Sequence, residues 1–248
     1  LQIETADVSL IGHREENQDR VGIAADDQAV LLVVIDGMGG HAEGARAAET
    51  ALAALLDAFW HTPHPIFDPL GFLHLSIGRA HEEVVKLGAG LGVEARPRAT
   101  CAICLVQESA AYWAHVGDSR VYQLRQHKVL ERTRDHSHVE VLLREGLITE
   151  SEVSGHPMRN YVECCLGGDA ALPEMSISTL RRLKSGDLLL LCTDGLWANL
   201  EDAELARFAE AAAGGLRLSL TELGTRAVEA SAPHSDNTSA AVLRWRAA

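Results

Sequence analysis

Three apolar runs in this chain stop on an aspartate, and a fourth aspartate opens another run. The first three are Val30 to Gly37 (VLLVVIDG), Ala111 to Asp118 (AYWAHVGD) and Leu188 to Gly195 (LLLLCTDG). The fourth is Asp236, which starts DNTSAAVLRW. Apolar runs of this length, bounded by Gly, Ser or Asn, read as core strands, so the carboxylates lie in turns at strand ends. A rigid sheet can hold such groups together. Carboxylates held close repel one another and cannot all stay ionised unless a cation sits among them. The pattern reads as a polyaspartate metal site.

At 248 residues the chain can bury a large core. Its net charge of −13 argues against broad affinity for nucleic acid or an anionic membrane. The short basic run Arg181 to Lys184 reads as a solvated surface. No apolar stretch approaches the roughly 20 residues that span a bilayer, and LQIETADVSL lacks the layout of a signal peptide. Five cysteines, an odd number, fit a reducing compartment better than a disulfide scaffold, so a cytoplasmic location is expected. Cys101 and Cys104 form C-x-x-C, yet in a strand they point to opposite faces, and no second pair follows at zinc spacing. They read as buried structural thiols.

Two strand-like pieces flank a polar stretch between Thr5 and Ile23. After the loop GMGGHAEG, a helix from about Ala45 to Trp60 presents Ala48, Leu52, Leu55, Leu56 and Phe59 on one face. Asp68 and Pro69 mark the start of a second helix running to about Leu87, with Leu73, Ile77, Ala80 and Val84 buried. The stretch from Thr100 to Leu130 reads as an antiparallel meander. Ser137 with Glu140, then Thr149 with Glu152, are capping-box signals. Residues Leu147 to Val162 read as a surface flap. MSISTL and DLLLLCT return to strands, helices follow near Asp202–Glu210 and Leu218–Ala232, and SAAVLRW closes the chain. The expected fold is α+β: one domain, a β-sandwich clad with helices.

Asp36, Asp194 and Asp236 are far apart in sequence, so only the fold can gather them, and Asp19 in the turn NQD is a further candidate. Taken singly, each aspartate could merely cap a turn. All-oxygen ligation suits Mg²⁺ or Mn²⁺. Two such ions about 3.5–4 Å apart can hold a bridging hydroxide and polarise a phosphoryl oxygen. Arg14, five residues before Asp19, offers a planar fork for phosphate oxygens, although a lone arginine is more often a surface residue. Gly37 reads as a tight turn exposing its carbonyl beside the metals, with Gly39 and Gly40 keeping bulk away. His115 reads as a packed strand residue and His41 as an accessory proton donor.

Taken together, R-x-x-N-Q-D (Arg14 to Asp19), V-x-D-G-M-G-G-H (Val34 to His41), V-G-D-S-R (Val116 to Arg120), T-R-D-H-S (Thr133 to Ser137), T-D-G-L-W (Thr193 to Trp197) and S-D-N-T (Ser235 to Thr238) form a set. In this order and over nearly the whole chain, it resembles the metal-dependent protein phosphatases of type 2C, in their bacterial branch. The resemblance implies a central antiparallel β-sandwich flanked by helices on both faces. It implies a serine/threonine phosphatase using Mn²⁺ or Mg²⁺, with a metal-bound hydroxide attacking phosphorus in line. By the same resemblance, Asp36 would bridge two ions, with the Gly37 carbonyl on one of them. Asp194 and Asp236 would complete the second ion's shell, Asp19 would act mainly through coordinated water, and Asp118 would hold a weaker third ion. Arg14 would bind phosphate, and residues from about Arg144 to Val162 would form the flap over the site.

Two departures stand out. Met38 occupies the place of a histidine proposed as general acid in animal members, and a thioether cannot donate a proton. Ala198 replaces the usual acidic residue or asparagine after T-D-G-L-W, with Asn199 adjacent. The expected partners are a phosphorylated protein and an opposing Ser/Thr kinase, with the chain a monomer. A catalytically silent relative that binds phosphoproteins is the alternative, marked by lost metal ligands. A phosphorelay receiver would need a parallel sheet, which the antiparallel pattern opposes.

Overall fold

The computed structural model describes residues 1–38, 42–211 and 214–246. Two antiparallel sheets form its centre. One has the order β1 (Ile3–Leu10), β13 (Thr238–Trp245), β12 (Leu188–Cys192), β7 (Arg120–Arg125), β8 (Lys128–Arg132). The other has the order β10 (Ser176–Ile177), β6 (Ala110–Val116), β5 (Cys101–Gln107), β3 (Ala29–Met38), β4 (Arg98–Ala99), β9 (Leu166–Gly167). In this second sheet β11 (Arg181–Arg182) adds to β6 and β2 (Asp19–Ala25) adds to β3.

Three apolar clusters fix the layering. Strand residues alternate between faces, so a strand buried on both sides feeds two cores. In β3, Leu31, Val33 and Ile35 pack outward against α1 (Ala42–Trp60) and α2 (Pro69–Leu87), through Ala48, Leu55, Phe59, Leu73 and Ile77. Its alternate residues Val30, Leu32 and Val34 face the other sheet, meeting Leu189, Leu191 and Leu243. Leu188, Leu190 and Val242 face outward from that other sheet onto α5 (Asp194–Trp197), α6 (Asp202–Ala211) and α7 (Leu216–Ala230). The layers are therefore helix, sheet, sheet, helix, as expected. Cys101 and Cys104 fall in different clusters, on opposite faces of β5. Both are free thiols whose pKa burial raises, Cys101 to about 12.

The local signals hold where side chain meets backbone. Asp68 Oδ1 accepts from Gly71 N at 3.0 Å, with Pro69 opening α2. Glu140 N donates to Ser137 Oγ at 3.4 Å at the start of α3 (His138–Arg144). Thr149 N donates to Glu152 Oε2 at 2.8 Å at the start of α4 (Glu150–Val153).

Two expectations need correction. The Thr100 to Leu130 stretch is not one meander: β5 and β6 pair in one sheet, β7 and β8 in the other. The Gly117–Ser119 link crosses between sheets, because β7 pairs with β12, which lies far away in sequence. Gly37 is not a tight turn either, since β3 continues through it to Met38 and Gly37 pairs with Ala99. Among the described residues no helix is long and apolar enough to cross a membrane.

Leu32 is fully buried between the sheets, so Leu32→Ala should cost about 2–5 kcal/mol in urea unfolding, whereas exposed Leu75→Ala should stay within about 0.5 kcal/mol. Equal costs would contradict the placement of this core.

Candidate active site

The strand ends that carry aspartates converge at one edge of the sandwich. Asp19, the first residue of β2, lies directly opposite Asp36 near the end of β3. Like charges facing each other across an antiparallel pair repel, so this register is costly without a cation. Asp19 is buried, and its Oδ2 accepts from Thr193 Oγ1 at 2.8 Å. Thr193 Oγ1 also accepts from Ser239 N at 3.0 Å. One hydroxyl thereby ties Asp19 of the second sheet to the ends of β12 and β13 in the first. Thr100 works similarly on Asp36: its Oγ1 accepts from Asp36 N at 3.1 Å, and its N donates to Asp36 O at 2.8 Å. The Thr100 and Ser119 hydroxyls, 2.7 Å apart, then link the Asp36 strand to the turn carrying Asp118.

The Asp236 turn is locked to the loop before β2. Asn237 Oδ1 accepts from Gln18 N at 2.8 Å, while its Nδ2 donates to Ile11 O at 2.9 Å and Glu16 O at 3.0 Å. Arg14, in that same loop, donates from Nη2 to Asp236 Oδ2 at 2.7 Å. Gly195 follows Asp194 because a Cβ there would lie 2.0 Å from Asn237 O. Gly37 has the same kind of reason: a Cβ would lie 2.1 Å from Gly44 O, so its glycine serves the close approach of α1.

Electrostatics separates these carboxylates from ordinary turn caps. Burial, followed by the charges of Asp19, Asp194, Asp118 and Asp236, holds the Asp36 pKa well above the usual carboxylate range. Asp118 is raised by burial and then by Asp194 and Asp135. Burial lifts Asp19 to about 7 despite the Thr193 hydrogen bond, and it lifts Asp194 to about 6 with help from Asp236. Arg14 lowers Asp194 but does not offset the rest. Asp19, Asp118, Asp194 and Asp236 thus all lie within electrostatic reach of Asp36, beside a cleft of about 800 Å³ lined by Arg14, Asp118, Asp194 and Asp236.

A model of the protein phosphatase 2C family matches residues 9–226. The chain belongs to this family. Its relatives include a serine/threonine phosphatase, stp, from Listeria monocytogenes, 32% identical over 202 residues and matched over 77% of each chain. Among solved structures, the serine/threonine phosphatase Stp1 from Staphylococcus aureus superposes with a TM-score of 0.88 at 27% identity, covering 100% of this chain and 96% of that one. The catalytic domain of the serine/threonine protein phosphatase PstP, in complex with two manganese ions, superposes at 0.79 and 27% identity over 99% of each chain.

The donor set fits divalent cations in this phosphatase 2C chain. Buried carboxylates with raised pKa, all oxygen, answered by one half-exposed guanidinium, form a site short of positive charge. Among the described residues no group of three or more His, Cys, Asp or Glu side chains is arranged to hold a metal ion by itself. A magnesium-like ion does not require such a group: it keeps several waters and is held through one or two carboxylates.

Several supporting residues went unassigned in the sequence. Arg120 holds Asp135 through two hydrogen bonds of 2.8 and 2.7 Å, and its Cζ lies 3.4 Å from the Trp197 ring centroid. Trp197 Nε1 in turn donates to Asp118 O at 2.9 Å. Three motifs therefore meet in one packed unit behind Asp118. Thr100 was missed too, its only signal being a polar residue at the head of an apolar run. Asn199 Nδ2 donates to Gly195 O at 2.9 Å, bracing the Asp194 turn where Ala198 cannot. His115 is packed, as expected: Nε2 donates to Arg134 O at 2.7 Å, and burial brings its pKa down to about 4. Gly39, Gly40 and His41 lie outside the described residues.

The raised acids set a pH dependence. Asp194 and Asp19 have folded pKa values of about 6 and about 7 against 3.8 when unperturbed, so the folded metal-free state binds their protons more tightly. Their contribution to stability is therefore full at low pH and is lost as pH rises through 6 to 7. In chelator, Tm should fall between about pH 5 and about pH 7.5, less steeply in Asp19→Asn, and added Mn²⁺ should restore it at the upper pH. A Tm that rises over this window, or does not respond to Mn²⁺, would count against the site.

Proposed function

We propose that the chain is a metal-dependent protein phosphatase that hydrolyses phosphoserine and phosphothreonine in this cleft. It works as a single catalytic domain over residues 1–248, as a cytoplasmic monomer opposing a Ser/Thr kinase. The observation that carries the reading is the gathering of five family-motif aspartates, of which Asp118, Asp194 and Asp236 line one cleft together with Arg14. Asp36, the Gly37 carbonyl, Asp194 and Asp236 would hold two Mn²⁺ or Mg²⁺ ions, Asp19 would act through water, and Asp118 would hold a weaker third ion. Divalent ions, when bound, polarise the phosphoryl group and supply a water acidic enough to ionise near neutral pH.

The chain's own residues do the rest. Arg14 is held by Asp236 at 2.7 Å yet stays half exposed, which leaves N–H groups free to take two phosphate oxygens. That grip aligns phosphorus for in-line attack, and alignment is a large part of the barrier reduction in phosphoryl transfer. Residues 144–162 act as the flap: Glu150, Ser151, Ser154, Arg159 and Asn160 line the same cleft as the aspartates and can govern substrate entry. A silent phosphoprotein-binding relative would be expected to lack some of these carboxylates, and all five are present.

Hydrolysis of a phosphothreonine peptide should require added Mn²⁺ or Mg²⁺ and disappear with chelator, and Asp36→Asn or Asp194→Asn should abolish it. Full turnover in metal-free buffer would sink the reading. Arg14→Ala should lower kcat/KM roughly ten- to a hundredfold, from loss of about 1.5–3 kcal/mol, with metal content unchanged. Calorimetry on Asp118→Ala should show the two tight ions retained and the weak one lost.

A further inference from the structure

Beside the catalytic cleft lies a second pocket of about 450 Å³. The two share Arg120, Arg132, Asp135, Glu140, Leu143 and Glu150 in their walls, so they are contiguous. Arg132 comes from the end of β8, Arg134 from the link that follows, and Arg144 from the last turn of α3.

Unspent guanidinium donors distinguish this pocket. Arg120 is fully engaged with Asp135, but the other three arginines make no side-chain hydrogen bond among the described residues. Arg134 is 3.6 Å from Glu140, Arg132 is 4.0 Å from Asp202, and Arg144 has no ion pair among the described residues. Several arginines elsewhere do close such pairs: Arg46, Arg79 and Arg125 reach carboxylates at 2.8, 2.9 and 2.6 Å. Of the acids in the pocket, Asp135 is already consumed by Arg120, Glu140 is shared loosely among the arginines, and Glu150 stands on α4. Three cations converging on one pocket repel each other, and an anion entering it relieves that. Each guanidinium is a five-donor planar fork, the geometry that grips phosphate or carboxylate in pairs.

We propose that this pocket binds a second anionic side chain of the phosphoprotein substrate, through Arg132, Arg134 and Arg144. A neighbouring phosphorylated residue would be held best, and a glutamate or aspartate more weakly. The inference rests on the phosphatase reading of the adjoining cleft. It also answers a difficulty of that reading. A chain with net charge −13 repels acidic phosphoproteins at long range, and a local arginine pocket gives them a place to dock.

The test uses the whole chain with Mn²⁺ and two substrates. Chelator-sensitive hydrolysis of a small aryl phosphate checks the catalytic cleft alone. Phosphothreonine peptides then carry phosphothreonine, glutamate or alanine at each flanking position in turn. At some position the doubly phosphorylated peptide should exceed the alanine peptide roughly tenfold in kcat/KM, through KM, with glutamate between them. The advantage should shrink with added salt. The exposed pair Arg134→Ala/Arg144→Ala, which lines the second pocket and not the catalytic cleft, should erase the preference while keeping aryl phosphate turnover, and Arg144→Glu should reverse it in favour of the alanine peptide. No aryl phosphate turnover in the wild type overturns the phosphatase reading and this one with it. Intact turnover with equal kcat/KM across the peptides, or a preference that survives both variants, overturns the pocket alone.

Discussion

Negative charge gathered where water is scarce is the constraint on which this molecule turns. Asp19 and Asp36 face each other across two antiparallel strands, and Asp118, Asp194 and Asp236 arrive within their field. Such an arrangement costs folding free energy unless protons or cations occupy it. The sandwich can bear that cost because its layers are dense: β3 and β5 are buried along both faces and join the helix-facing core to the inter-sheet core. A site of this kind trades stability for function, as sites that store strain or repulsion generally do.

Holding the charge in place falls to short polar side chains between the loops. Thr193 spans the two sheets by accepting from Ser239 and donating to Asp19, and Thr100 joins the Asp36 strand to the Asp118 turn. Asn237 pins the loop that carries Arg14. None of these groups is charged, so they fix geometry without cancelling the field that would attract cations. Behind them the Arg120–Asp135 pair, stacked on Trp197, does carry opposite charges and is largely sealed from water. Neutralised internally, it braces Asp118 through the indole N–H without competing for the site.

The same chain distributes its arginines unevenly, and the distribution has functional meaning. Several arginines away from the cleft are spent on carboxylates, as in Arg46 with Glu43. Beside the cleft, Arg14 and the three arginines near α3 keep donors available, while Arg120 is engaged with Asp135. On an acidic surface, free guanidinium donors concentrated at one place give an anionic substrate a direction of approach.

Much of this was legible in the sequence. Apolar runs ending on aspartates, the 3.6-residue periodicity of α1 and α2, the Asp68–Pro69 start signal and the motif order fixed the element types, the layering and the five aspartates. Local chemistry governs those features: strand burial, helix periodicity and capping are set by residues near one another in the chain. Tertiary structure alone decided that the Thr100 to Leu130 strands divide between two sheets, because pairing of β7 with β12 depends on residues remote in sequence. It decided that Gly37 serves the approach of α1 rather than a turn, since the clash partner Gly44 lies on another element. It also selected Thr100, Thr193 and Arg120 as the residues that hold the site. A threonine at a strand end looks the same in sequence whatever its hydroxyl bonds, and only the packed sheets determine which backbone or carboxylate it meets.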